Sequence, residues 1–245
     1  MRLTYWLKFA KGDNKIRTEY RRDVLRYIKN SLSEYAPEIY EKYYANKKEN
    51  QPKPFTFSVS FSIAEKPNSR NDYFILENDS LKIHFSFADY TFGMTVYNAL
   101  LQEKNEAKIF GDAVQKIEHI NLEKDKKIDD STTVFKTLSP ILVRDLHNGK
   151  GKGFIDSNHK NFSGNLTKNI THLANHFLQE TNISENEISV EPVKMKSDII
   201  NHYGGEIGNT GIIKISAPGE ILQLIYDAGL GAKRSQGFGM LEVIG

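Results

Sequence analysis

The residues best equipped for chemistry stand near the end of the chain, in Gly229-Leu230-Gly231-Ala232-Lys233-Arg234-Ser235-Gln236-Gly237-Phe238-Gly239-Met240-Leu241. Two Gly-x-Gly pairs flank a five-residue insert that carries a lysine, an arginine, a serine and a glutamine. Glycine accepts positive φ and lets a backbone approach a partner closely. Such a loop can aim its amides at an anion, and Lys233 and Arg234 add charge. Gly229, Gly231, Lys233, Arg234, Ser235, Gln236 and Gly237 are therefore expected to contact phosphates. The order is apolar helix, glycines, strand, whereas a P-loop or a dinucleotide fingerprint places its glycines after a strand and before a helix. One Gly-x-Gly pair would read as a flexible turn. Two pairs around a basic insert point to RNA or another phosphate chain. Arg144, Lys150 and Lys152 form a second basic stretch, and Lys42, Lys47, Lys48 and Lys53 a third. That the three meet on one surface is an expectation.

Other chemistries find less support. His172 and His176 have the i, i+4 spacing that can chelate zinc on a helix. No third ligand is near in sequence, and they flank the apolar positions Leu173 and Phe177, so no metal is expected. No serine-hydrolase motif and no clustered pair of carboxylates occurs.

Stepping along the chain shows what must position these groups. Leu3, Tyr5, Leu7 and Phe9 alternate with polar neighbours and predict a strand. Val24, Leu25, Ile28 and Leu32 follow at helical spacing, with Pro37 ending that helix and opening a short one bearing Ile39, Tyr40, Tyr43 and Tyr44. Phe55, Phe57, Val59, Phe61 and Ile63 alternate as a second strand. Residues 73–76 and 81–87 read as a hairpin around Asn78-Asp79. A helix over 91–104 and a strand or strand pair over 108–122 complete β-α-β-β-α-β. After a charged linker at 122–131, the order repeats. A strand at 133–144 is broken at Pro140, and a glycine- and lysine-rich turn occupies 147–155. The helix through Ile170, Leu173, Ala174, Phe177 and Leu178 precedes a strand at 188–196. A hairpin within 204–216, a helix opened by Pro218 and a strand over 240–244 close the set. The fold class is α+β, two tandem ferredoxin-like (RRM-like) domains over 1–122 and 132–245, the latter carrying the glycine-rich loop 229–241. No sequence repeat links the halves.

With 245 residues, 39% hydrophobic and 26% charged, the chain suits a globular fold. It has no cysteine, which excludes disulfides and thiolate metal sites and fits a cytoplasmic location. No apolar run reaches membrane-spanning length, and the start shows no signal-peptide pattern. A net charge of +2 is too mild to identify a nucleic-acid binder by itself.

The closing Gly-Leu-Gly, five residues, then Gly-Phe-Gly-Met-Leu resembles the glycine-rich signature of the CRISPR-associated RAMP proteins. With this length it is similar to the repeat-processing endoribonucleases among them, the sixth Cas protein family. Lys53-Pro54-Phe55-Thr56-Phe57-Ser58 and Phe135-Lys136-Thr137-Leu138-Ser139-Pro140-Ile141-Leu142-Val143-Arg144 add to the resemblance. They fall where that family has its second strand and the opening of its second half.

The resemblance implies the tandem ferredoxin-like fold and CRISPR repeat RNA as partner. It also implies a nuclease that cuts precursor RNA into guides without metal or cofactor. In that chemistry the ribose 2′-OH attacks the adjacent phosphorus and leaves a 2′,3′-cyclic phosphate. The protein aligns it, moves protons and stabilises the phosphorane. The family commonly places a histidine between its first helix and second strand. Here the first histidine is His84, and the matching segment offers Tyr40, Tyr43, Tyr44, Lys47 and Lys48 instead. Tyr44 and Lys47, with Arg22 for charge, are the expected catalytic residues. The alternatives left open are tyrosines that only pack, in a protein that binds repeat RNA without cutting it, and a structural RAMP subunit of an effector complex. A homodimer and other Cas proteins are the protein partners left open; no membrane is expected. His84, His147 and His202 rank below the tyrosines.

Overall fold

The structure is a computed structural model and describes residues 1–45, 51–67, 73–146, 153–178, 183–202 and 204–245. Two compact units divide it. The first comprises residues 1–53 and 58–124, the second 54–57 and 125–245.

In the first unit, strand β1 (Arg2–Phe9) is followed by short β2 (Lys15–Arg17), helix α1 (Tyr20–Tyr35), α2 (Pro37–Tyr40) and a π-turn at Glu41–Ala45. The residue ahead of a proline disfavours helical backbone. Ala36 accordingly sits at φ −150° between the two helices. Strands β3 (Phe55–Ser60), β4 (Ile63–Glu65), β5 (Tyr73–Leu76) and β6 (Ser80–Phe87) come next. Then come helix α3 (Tyr90–Gln102), β7 (Lys108–Phe110) and β8 (Ala113–Glu123). The main sheet runs β3-β6-β1-β8-β7, with β1 antiparallel to both β6 and β8. The odd positions of β1 share one buried face: Leu3, Tyr5, Leu7 and Phe9 are all shielded, with Ile83, Phe85 and Phe87 of β6 beside them. Val24, Ile28 and Leu32 of α1 and Phe92, Val96 and Leu100 of α3 are buried as well. Asp89 caps α3, accepting the Phe92 amide at 3.0 Å.

The second unit contains β9 (Thr132–Thr137), the two-residue strands β10 (Val143–Arg144) and β11 (Phe154–Ile155), and helix α4 (Phe162–Phe177). Strands β12 (Ser189–Ile200) and β13 (Glu206–Ser216), helix α5 (Gly219–Ala228) and β14 (Leu241–Val243) follow. Its sheet runs β12-β13-β9-β14. Counting only the strands of each β-α-β-β-α-β unit, both sheets have the order second, third, first, fourth. Two tandem ferredoxin-like folds result. Leu166, Ile170, Leu173 and Ala174 of α4 and Ile221, Leu222 and Ile225 of α5 are buried with Phe135, Ile213 and Ile215 of the sheet.

Three local expectations change. Residues 73–76 do not form a hairpin with 81–87. Strand β5 pairs with β2 and β4 in a separate three-stranded sheet. Phe74 there joins Phe61 and Tyr20 in an aromatic cluster with centroids 5.2–6.2 Å apart. That cluster also takes Phe61 out of the second strand, which ends at Ser60. The hairpin expected within 204–216 is instead β12 against β13, whose pairing runs to Ile200 opposite Glu206. The expected turn at 147–155 lies largely outside the described residues.

Candidate nucleic-acid interface

The glycine-rich segment leaves α5 at Gly229 and enters β14 at Leu241. All four of its glycines take positive φ, 84° at Gly229 and Gly231, 88° at Gly237 and 73° at Gly239. Their reason is close packing. A Cβ on Gly239 would stand 1.8 Å from the Leu230 carbonyl oxygen, and one on Gly237 2.5 Å from the Phe57 ring. One on Gly231 would meet the Leu142 carbonyl at 2.6 Å, and one on Gly229 Thr56 at 2.8 Å. The amides are committed inward too. Leu230 donates to Gly239, Ala232 to Leu142 and Gly239 to Pro140. Gly231 donates to Asn169 Oδ1 at 3.0 Å, and Thr56 Oγ1 donates to the Phe238 carbonyl at 2.7 Å. The expected cradle of outward amides is thus a knot that ties the last strand to β10, α4 and residues 56–57.

Its cations divide. Arg234 departs from the expected surface contact. It is 7% exposed, and its Nη1 donates to the Ala228 carbonyl at the end of α5 at 2.7 Å. Burial pulls its guanidinium down to about 10. Lys233 pairs with Glu206 while its Nζ lies 5.3 Å from the Phe154 ring centroid. Arg144 comes to the same ring, 5.5 Å from its centroid, and is exposed. The structure therefore brings Lys233 and Arg144 together on Phe154, an aromatic that the charge pattern gave no reason to single out. Gln236 Oε1 lies 2.9 Å from His202 Nε2, and the His202 ring meets Phe238 edge-on. Ser235 is half-buried. Lys150, Lys152 and His147 lie outside the described residues.

In the first unit, the tyrosines of α2 and the π-turn form a second cluster. Lys29 Nζ stands 4.9 Å and Lys53 Nζ 5.1 Å from the Tyr44 ring centroid, within cation–π range. Tyr40 packs beside that ring. The Tyr44 hydroxyl is buried without a hydrogen-bond partner among the described residues. Burial raises its pKa far above that of an ordinary phenol. It can donate a proton in a hydrogen bond but is a poor base. Burial first, and the Lys29 charge second, pull the Lys53 ammonium down. Tyr43 is anchored differently, donating to Asp89 at 3.2 Å and edge-on to Phe92. Burial and the Asp89 charge push its phenol up to about 12.

Arg22 does not join Tyr44. It pairs with Glu19 at 2.6 Å, and seven helical residues, about 10 Å at 1.5 Å rise, separate it along α1 from Lys29. Lys47 lies outside the described residues. Lys29 and Lys53 are the cations that sequence reasoning passed over. Lys29 stands between the apolar positions Ile28 and Leu32 of the helix, and Lys53 read as one charge in a run. His84 is held in a polar cluster, with Nδ1 3.0 Å from Thr4 Oγ1 and 3.6 Å from Glu123 Oε1. His84, then Thr4, hold the Glu123 carboxyl down at about 2.

Among the described residues, no three His, Cys, Asp or Glu side chains gather as a metal cluster, and no helix is long and apolar enough to cross a membrane.

Residues 123–243 match the family model described as CRISPR associated protein Cas6, C-terminal. Among curated proteins none matches. Solved structures share the fold over the whole chain. A Cas6-related protein from Pyrococcus furiosus has TM-score 0.81 at 20% identity, covering 100% of this chain and 98% of that one. A RAMP protein binding different RNA substrates has TM-score 0.79 at 21% identity and 100% coverage of both chains. A CRISPR-associated protein Cas6 has TM-score 0.72 at 19% identity, covering 100% and 99%. Nearly half of the chain, residues 123–243, thus matches the Cas6 C-terminal model, and the tandem ferredoxin-like fold is shared over the whole chain with solved Cas6 and RAMP proteins.

Proposed function

We propose that the protein binds CRISPR repeat RNA and cleaves the precursor into guide RNAs by metal-independent attack of a ribose 2′-OH. The match of residues 123–243 to the Cas6 C-terminal model supports the substrate class, and one of the similar structures is a RAMP protein that binds RNA. The observation that carries the chemistry is the pair of lysines on Tyr44. Cleavage by the 2′-OH needs a cation at the crowded phosphorane, a proton for the departing 5′-oxygen and an acceptor, here solvent water, for the proton that the attacking hydroxyl gives up. Lys29, a cation beside the ring, suits the first task. Lys53, whose ammonium is made more acidic by burial and by Lys29, suits the second, since proton transfer is efficient when the donor pKa lies near the working pH. Tyr44, firmly protonated, keeps its ring beside both ammonium groups. Arg144 and Lys233 on Phe154 supply backbone contacts. The knot of Gly229, Gly231 and Gly237 holds that surface in place. The two units act as the domains of one RNA-binding chain.

A second reading is a repeat-RNA-binding protein without cleavage. It is favoured by the absence of histidine from the segment between α1 and β3. The test incubates pure protein and EDTA with labelled repeat RNA, and with copies carrying one 2′-deoxy residue at each candidate cut position. A single cut abolished by one deoxy substitution, with a 2′,3′-cyclic phosphate product, is the expected result. Tight binding with no cut would establish the second reading.

A further inference from the structure

A hollow of about 200 Å³ opens in the second unit between the start of β10, the middle of α4 and the first glycine pair. Its floor is apolar. Leu142, Val143 and Leu166 are essentially buried, with Leu146 and Ala232 completing the walls. Its rim carries Arg144, Lys168 and His172, all exposed, and no carboxylate among the described residues lines it. Two amide side chains lie within the lining. Asn165 Nδ2 donates to the Arg144 carbonyl at 2.9 Å, and Asn169 Oδ1 accepts from Gly231 at 3.0 Å. These bonds hold one amide atom of each side chain and leave the other, Asn165 Oδ1 and Asn169 Nδ2, without a partner among the bonds of the lining. The Ala232 amide bond to the Leu142 carbonyl locks the opposite wall.

The chemistry selects a ligand. A floor of aliphatic side chains accepts a flat, weakly hydrated ring, and an acceptor and a donor from two amides suit the edge of a base. The cationic rim asks for an anion joined to that ring. The volume lies below the roughly 300–1,000 Å³ of pockets that take drug-sized ligands, so it suits one ring system rather than a dinucleotide. We infer that this hollow takes one unstacked nucleotide, its base between Leu142 and Leu166 and its phosphate at Arg144, Lys168 and His172. Single-stranded RNA is commonly read through bases splayed out of the stack. The inference rests on the RNA reading above for its natural ligand, yet the pocket can be tested without RNA.

The experiment titrates the full chain with each of the four ribonucleoside 5′-monophosphates, with ribose 5-phosphate and with inorganic phosphate. It follows the methyl signals of Leu142 and Leu166 and the His172 ring by NMR. At least one monophosphate should move all three sets saturably. Ribose 5-phosphate should bind at least about tenfold more weakly, ~1.4 kcal/mol. Lys168→Ala with His172→Ala, both at exposed helix positions, should weaken the monophosphate, and Ala232→Leu, which fills the hollow, should abolish the leucine shifts. Equal binding of inorganic phosphate and monophosphate, or no leucine shift with any of them, would overturn the site. In parallel, the Lys168→Ala/His172→Ala chain should bind repeat RNA about fivefold more weakly than wild type, a loss of one charged contact. Wild-type RNA affinity in that variant would overturn the inference and leave the RNA reading standing. Monophosphate binding in a protein that ignores repeat RNA would uphold the pocket and overturn the RNA reading instead.

Discussion

Two arginine and lysine neighbours show how residue type and residue role part company. Arg234 and Lys233 are adjacent and equally basic, but the guanidinium turns inward to close α5 while the ammonium reaches Phe154 and Glu206. Arg234→Ala removes a charge-assisted hydrogen bond at a buried site and should cost about 2 kcal/mol of stability, read as a lower urea midpoint. Lys233→Ala should leave that midpoint nearly unchanged and weaken RNA binding. Equal loss of stability in both variants would contradict the division. Tyr44 and Lys53 allow a similar separation. Lys53→Ala should slow cleavage by about 10²-fold or more, the lower range for a lost proton donor, with RNA affinity reduced far less. Tyr44→Phe keeps the ring under both ammonium groups and should slow cleavage less than Lys53→Ala does. Single-turnover rates beside equilibrium binding decide between them. Wild-type rates in the Lys53 variant would move the reaction elsewhere.

At the scale of elements, the glycine-rich segment behaves as a fastening. Gly239 has φ +73° and no room for a methyl group beside the Leu230 carbonyl. Gly239→Ala should therefore cost about 3 kcal/mol or more through strain and displaced backbone, measured by chemical denaturation; a stability within 1 kcal/mol of wild type would mean that the knot yields easily. The motif itself was legible, because glycine pairs around a basic insert are visible in any single chain. Its use was not, since the Cβ clashes involve Thr56, Phe57 and Leu142, all remote in sequence. The same contrast runs through the regular elements. Strand β1 and helices α1 and α4 announce themselves by their period, because one continuous face is buried. β5 could not be assigned to its sheet, since its Phe74, set opposite Ile16 of β2, packs with Tyr20 and Phe61 in an aromatic cluster that no local pattern encodes. Lys29 and Lys53 were unreadable as a pair for the same reason. Each looks like a solvated charge until α1 and the segment before β3 are folded against Tyr44.

At the scale of the whole molecule, a net charge of only +2 limits how RNA can be held. A diffuse positive field is too weak to draw a polyanion, so affinity must come from a few cations placed where phosphates pass. Several basic side chains are already answered by acids, as in Lys108 with Glu34, Lys126 with Glu242 and Lys214 with Glu191. The cations assigned to RNA are Lys29, Lys53, Arg144, Lys168 and Lys233. Each phosphate neutralised on a single strand contributes a slope of about −0.7 to log K against log salt. Five such contacts predict a slope of roughly −3.5 for unstructured repeat RNA. Filter binding across a salt series measures it directly. Lys233→Ala should flatten the line by a little under one unit, and Arg234→Ala, whose charge faces the protein, should leave the slope unchanged even where it weakens the fold. A wild-type slope twice as steep would require phosphate contacts from basic residues beyond these five. An unaltered slope in the Lys233 variant would remove that lysine from the RNA path and leave Phe154 to Arg144 alone.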